Sequence, residues 1–317
     1  MAGPKKGRLD AVSAAATRDE LNRAQAKITH LEAQLEQATA ARRPKKLAKA
    51  RQSKSKRGDK VRMLMGDLHG SYRDENAVAR VIADAKTLQP DEIILGGDMV
   101  DCGGFLAQHH TLGYVAELAY TYEEDLSHAA QFLDALAAVA PNASIEYLEG
   151  NHESRVERWA ITQALKSKGD AEWLVRQVSP EHQLGLKGRG IPYYRVSEYH
   201  DGLSIPGWIK RDKIYITHAI SFAKHAAAQA LAKTAGNVVF FHSHRADAFT
   251  TNLVHGGTVS AWNPGCLCGS QPLYRHSNPS GWSQGYAVQF LAKSGNFLHL
   301  QVPIIEGESL LAPLLSR

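Results

Sequence analysis

Val61-Arg62-Met63-Leu64-Met65-Gly66-Asp67-Leu68-His69-Gly70 is a short apolar run that stops on a glycine and then presents a carboxylate and an imidazole. Glycine lets the chain turn sharply at the end of a strand, so polar side chains can follow it directly. The same ending occurs twice more. Glu92–Leu95 runs into Gly96-Gly97-Asp98-Met99-Val100-Asp101, and Ser144–Glu149 runs into Gly150-Asn151-His152-Glu153. Helical patterns fill the intervals, through Ala77–Lys86, in stretches up to Ala140, and again over Arg155–Lys166. This alternation predicts parallel strands joined by helical crossovers. In such sheets ligands gather at the C-terminal strand edge, where these polar residues stand.

Farther along, Lys213–Thr217 ends in His218, an alanine-rich helix is expected near Ser221–Thr234, and Val238–Phe241 ends in His242-Ser243-His244. Thr258–Trp262, Tyr286–Phe290 and Phe297–Val302 read as further strands, so the second half is expected to form a second sheet packed on the first. There is no repeat of fixed period. Five strand tips together supply Asp67, His69, Asp98, Asn151, His218, His242 and His244. Oxygen and imidazole donors without thiolate suit Mn²⁺, Zn²⁺ or Fe. Seven are too many for one ion and enough for two that share a carboxylate, an arrangement used for in-line displacement at phosphorus.

These five ordered motifs resemble those of the calcineurin-like metallophosphoesterases, over about Val61 to Val302. The resemblance implies an α/β fold, a two-sheet sandwich flanked by helices. It implies that Asp67, His69 and His244 hold a first metal, that Asp98 bridges, and that Asn151, His218 and His242 hold a second. His152 would then be the general acid, oriented by Asp101. A carboxylate is independently suited to bridging two cations, and an imidazole to protonating an alkoxide. The segments Trp262–Cys266 and Gly281–Tyr286 are similar to those of phage-encoded or bacterial members.

Two departures bear on substrate. Phosphoprotein phosphatases of this superfamily follow the second motif with Arg-Gly, whereas Cys102-Gly103-Gly104 stands here; Phe241 replaces the glycine that usually opens the last motif. Arg155 and Arg158 are candidates for the missing phosphate contact, or ordinary helix-surface arginines. The expected reaction is two-metal hydrolysis of a phosphoester by in-line attack of a metal-bound hydroxide, with Mn the preferred ion and Zn or Fe the alternatives. A phosphodiester, in nucleic acid or a nucleotide, is preferred over a phosphomonoester or phosphoprotein. A catalytically silent scaffold that binds nucleic acid or a partner is the reading from another class.

Other patterns are weaker. Gly281-Trp282-Ser283-Gln284-Gly285 fits a nucleophile elbow but has no Asp after it. Cys266, Cys268 and His276 are one donor short of a structural zinc site.

Residues 1–60 carry 16 Lys and Arg against 6 Asp and Glu, and the remaining 257 carry 21 against 26, so the net charge of +5 conceals a basic tail on a mildly acidic body. Within the tail, residues 1–43 hold an amphipathic helix in which Leu21, Ile28 and Leu35 recur every seven residues, a weak coiled-coil seam that reads either as a means of homo-oligomerisation or as a solitary, frayed helix. Residues 44–60 hold eight Lys and Arg, and read as a disordered, solvated linker, with loose electrostatic contact to nucleic acid as the functional alternative. The metallophosphoesterase-like domain is expected over 61–317. With 44% hydrophobic and 22% charged residues and no long apolar run, the chain is expected to be cytoplasmic (host cytoplasm for a phage protein) and free of membrane contact. Cys102, Cys266 and Cys268 are expected to be free thiols.

Overall fold

In β1 (Lys60–Met65) Met63 and Met65 face one side and Leu64 the other, and both sides are buried. The computed structural model describes residues 59–102, 121–164, 166–270 and 280–311, with Arg23, Lys27 and Leu314. The chain divides into two units, Met1–Lys45 and Lys46–Arg317. In the first, Arg23 and Lys27 are helical and exposed. The rest of the expected N-terminal helix, and the basic linker apart from Asp59 and Lys60, lie outside the described residues.

The second unit holds two sheets. One has the order β11-β10-β1-β2-β3-β4, with β2 (Glu92–Leu95), β3 (Ser144–Leu148) and β4 (Tyr193–Tyr194) running parallel to β1, and β10 (Gly285–Leu291) and β11 (Phe297–Pro303) on its other side. The other has the order β5-β6-β7-β9-β8, built from β5 (Trp208–Arg211), β6 (Ile214–Thr217), β7 (Asn237–Phe240), β8 (Asp247–Asn252) and β9 (Thr258–Asn263). Side-chain alternation separates the core into layers. Leu64, Ile94 and Leu148 meet Ile209, Ile214, Ile216 and Val239 between the sheets. Met63, Met65, Ile93 and Leu95 pack outward on α1 (Glu75–Leu88) and α2 (Tyr122–Val139) through Val81, Ala85, Leu133 and Leu136. Behind the second sheet, Val238, Phe240 and Ala261 pack on the small residues of α5 (Ala226–Thr234). This unit is thus the expected α/β sandwich flanked by helices.

Local signals account for the helix starts. The Asp74 side chain accepts the backbone N–H groups of Asn76 and Ala77, and Thr121 with Glu124 forms a capping box. The third helix begins earlier than the expected Arg155. As α3 it spans Asn151–Gln163, because Gly150 is its N-cap and Glu153 reaches back to the Gly150 N–H at 3.0 Å. That shift puts Asn151 and His152 in its first turn.

Two expectations about the second half are corrected. β10 (Gly285–Leu291) and β11 (Phe297–Pro303) return to the first sheet, antiparallel, β10 beside β1. Burial drives this, since Tyr286 and Val288 enter the helix-facing core while Ala287 faces the second sheet. The second sheet is completed by β5 and β8, whose polar sequences gave no apolar alternation; β8 is an exposed edge. The alanine-rich helix starts at Ala226, and α4 (Lys168–Val178) follows α3.

Candidate functional site

The C-terminal tips of β1, β2, β3, β6 and β7 converge, and the loops there are bent in an uncommon way. Asp67, His69, Asp98, Cys102, His242 and His244 all have positive φ, between 50° and 73°. Each such non-glycine residue costs on the order of 1–3 kcal/mol and persists where its surroundings over-determine it. Three buried polar side chains do this. Glu153 accepts from the N–H groups of Asp98 (3.0 Å), Met99 (2.8 Å) and Gly150 (3.0 Å) and from the Tyr147 hydroxyl (2.6 Å). Asp125 accepts from Ser71, Asp101 and Cys102 N–H, each at 2.8 Å. Asn263 donates to the Phe241 carbonyl and the Ser243 hydroxyl at 3.0 Å each. The first two loops also lock together directly, Asp67 N–H to Gly97 O and His69 N–H to Asp98 O, both at 3.0 Å.

All seven expected donors come together. His69 Nε2 lies 3.1 Å from His244 Nε2, which is 3.3 Å from Asp67 Oδ1, and Asp98 Oδ2 stands 3.9 Å from His69. On the other side of Asp98, Oδ2 is 3.2 Å from His218 Nε2 and 3.9 Å from His242 Nδ1. His218 Nε2 is 3.1 Å from both His242 Nδ1 and Asn151 Oδ1. Asp98 therefore belongs to two clusters, Asp67-His69-Asp98-His244 and Asp98-His218-His242.

The donor set fits cations. Donors bonded at about 2.1 Å to one ion stand roughly 3–3.5 Å apart, and the nearest pairs here stand 3.1–3.3 Å apart. His218 Nδ1 donates to the Gly96 carbonyl at 2.7 Å, which leaves the lone pair of the neutral ring on Nε2, facing the cluster. Asn151 Oδ1 then faces only acceptors; turning the amide over would instead point its NH₂ at His218, His242 and Asp98. A positive ion satisfies the first orientation. Asp67 Oδ1 is buried with no hydrogen-bond partner among the described residues, a further lone pair aimed into the site. Electrostatics agree. Burial by itself would lower His69 and His218, but the Asp101 hydrogen bond and nearby carboxylates push His69 up to about 10, and Asp98 pushes His218 up to about 9. A cation among the same atoms would displace those protons.

His152 and Asp101 are also present, with one correction. The Asp101 carboxylate bonds His69 Nδ1 at 2.8 Å and lies 3.5 Å from His152 Nδ1, whereas the Asp101 backbone carbonyl accepts from His152 Nδ1 at 2.6 Å. The carboxylate thus orients His69, and the main chain orients His152. Burial holds the His152 imidazole down at about 4, and its Nε2 is 3.9 Å from Asp98 Oδ2. Arg155 Nη1 lies 3.3 Å from that Nε2, while Arg158 is exposed and bonds the Ser154 carbonyl of its own helix. Arg155 joins the site and Arg158 does not.

Phe241 packs in place of a glycine because two others make room. A Cβ on Gly66 would come 2.8 Å from its ring, and one on Gly96 2.2 Å. Cys102, Cys266 and Cys268 are free and buried; Cys268 Sγ lies 3.9 Å from His244 Nδ1, and His276 lies outside the described residues. Ser283, in the elbow-like segment, accepts the Ala246 N–H at 2.6 Å in a loop before β10. Glu153, Asp125 and Asn263 received no role from the sequence. Only Glu153 carried a signal, three residues after a glycine N-cap, where a carboxylate commonly reaches back.

The family model described as calcineurin-like phosphoesterase matches residues 62–272, a span that includes every donor named above. No curated protein sequence matches significantly. Among solved structures, a single mutant of Vps29 from Entamoeba histolytica is 11% identical with a TM-score of 0.38, the alignment covering 78% of this chain and 95% of that one. Vacuolar Protein Sorting 29 from Cryptosporidium parvum is 11% identical with a TM-score of 0.38, covering 79% and 94%.

Proposed function

The chain belongs to the calcineurin-like phosphoesterase family, and from that premise we propose that it hydrolyses a phosphodiester with two divalent cations, preferably Mn²⁺. The carrying observation is the single carboxylate, Asp98, common to two donor clusters. Asp67, His69, Asp98 and His244 would hold one ion, and Asp98, Asn151, His218 and His242 the other. When bound, such a pair neutralises phosphoryl charge and lowers the pKa of water for in-line attack. The protein supplies the rest. The Asp101 carbonyl takes the Nδ1 proton of His152 and leaves Nε2 on the side of the donors, where the ring, once it has taken up a second proton, would give it to the leaving oxygen. Arg155 is placed beside that nitrogen to meet a phosphoryl oxygen.

Cys102 in the place of a phosphate-gripping arginine, together with the basic tail, supports a diester over a monoester or phosphoprotein. The experiment is metal analysis of purified protein with a panel of mono- and diesters. Two ions per chain and diester turnover are expected, and Asp98→Asn should abolish activity and reduce the metal content. Wild-type turnover by Asp98→Asn at equal metal occupancy would refute the assignment. The tail is proposed to engage nucleic-acid phosphates. Deleting residues 1–60 should leave turnover of a small diester intact and flatten the salt dependence of binding to long nucleic acid by roughly 3 to 4 in log K against log salt, for four or five lost contacts. An unchanged slope would remove nucleic acid from the reading.

A further inference from the structure

Phe222 and Trp282 stand beside the two histidines of the last motif, one each. The Phe222 ring centroid is 4.1 Å from that of His242, and the Trp282 centroid is 4.0 Å from that of His244, both in T-shaped contact. Phe222 is 70% exposed, although it adjoins a largely buried imidazole. One exposed aromatic residue means little. Two rings, each against a donor of a different cluster, are positioned by the same backbone that positions the donors. Arg245, the next residue after His244, donates to the carbonyls of Phe222 and Ala223 at 3.0 Å each. Ser283, beside Trp282, donates its N–H to the His244 carbonyl at 2.8 Å, and its hydroxyl receives the Ala246 N–H. Both aromatic loops are therefore tied to the His242–Ala246 segment.

From this juxtaposition we infer that Phe222 and Trp282 form an aromatic clamp at the site for a flat aromatic group carried by the phosphoester. The inference rests on the phosphoesterase reading and adds the recognition element to it. A rigid apolar ring presented to water next to bound phosphate favours a substrate that offers another π-face, and stacking tolerates many such groups. A nucleobase on the retained side of the ester or an aryl group on the leaving side shares that chemistry.

The test uses full-length protein loaded with Mn²⁺ and two esters with the same leaving group, thymidine 5′-nitrophenyl phosphate and ethyl nitrophenyl phosphate. If the clamp holds a base, the wild type favours the thymidine ester in kcat/KM, and Phe222→Leu and Trp282→Leu each reduce that preference by roughly 5- to 150-fold, through KM. If it holds the leaving aryl group, KM rises equally on both esters. KM unmoved on both, or a fall in kcat that tracks loss of metal, would show that the rings only brace the imidazoles and would overturn the inference. Should neither ester be hydrolysed, the phosphodiester reading fails. Calorimetry then decides the clamp: tighter binding of thymidine 5′-monophosphate than of ethyl phosphate, lost in Phe222→Leu, supports it, and equal binding refutes it.

Discussion

Replacing Glu153 with Gln tests whether the site is held by its backbone clamp. In the native protein each carboxylate oxygen accepts two donors, Oε1 from Met99 N–H and the Tyr147 hydroxyl, Oε2 from Asp98 and Gly150 N–H. Burial and the charge of Asp98 push this carboxyl up to about 7, and the four donors oppose that by favouring its ionised form. A glutamine has one oxygen and one NH₂ for the same four donors. Its better orientation puts the oxygen against Asp98 and Gly150, because the Tyr147 hydroxyl can rotate and accept from the amide. Met99 N–H then has no acceptor. A buried orphan donor costs about 1–3 kcal/mol, which for a domain of this size lowers Tm by roughly 2–12 °C. The peptide N–H groups of Asp98 and Gly150, next to Asn151, also lose a charged anchor. Metal affinity should therefore fall, by about the 10- to 100-fold typical of lost outer-shell partners. Thermal melts and calorimetric titration with Mn²⁺ measure the two effects. A Glu153→Gln protein with native Tm and native metal affinity would show that Asp98 holds its strained conformation without this carboxylate, and the clamp argument would fail for Glu153.

Asp101→Asn should act on metal binding, since its carboxylate bonds His69 and its carbonyl, which the substitution keeps, bonds His152. Mn²⁺ affinity is expected to drop about 10- to 100-fold with the dependence of rate on leaving-group pKa unchanged; an altered leaving-group dependence at saturating metal would return the carboxylate to His152. His152→Ala should retain both ions and lose roughly 10²–10⁴ in turnover of esters with poor leaving groups, and less with good ones. Metal analysis of that variant showing fewer ions would make His152 a ligand.

The parts of this molecule that the sequence exposed share a physical cause. β1, β2, β3, β6 and β7 are largely buried, so each is a short run rich in apolar residues, and each is followed within two residues by a glycine or a polar donor. Residue type and position therefore coincide, and all seven donors could be named before their distances were known. β5 and β8 share no such coincidence, because an edge strand with a polar or exposed face looks like a loop. Nor does the return of β10 and β11 to the first sheet, since an apolar strand shows that it is buried and not which neighbour buries it.

The clamps were hidden for a different reason. Glu153, Asp125 and Asn263 work by accepting from, or donating to, main-chain groups brought close by tertiary folding, and every residue offers such groups, so no spacing marks their partners. The division of Asp101 is of the same kind: its side chain and its carbonyl serve two different histidines, and only coordinates separate them. Phe241 shows how far a motif constrains its surroundings. The ring occupies a place that glycine usually takes, and it fits because Gly66 and Gly96, at the ends of β1 and β2, leave no Cβ in its way. Those two glycines give the chain its turns, and their missing side chains are also the floor on which Phe241 rests in the core between the sheets. The backbone that carries His242 is thereby seated directly on the strand ends that carry Asp67 and Asp98. A substitution at the motif's opening position thus leaves the donor geometry intact, because the space it needs lies under the site and not within it.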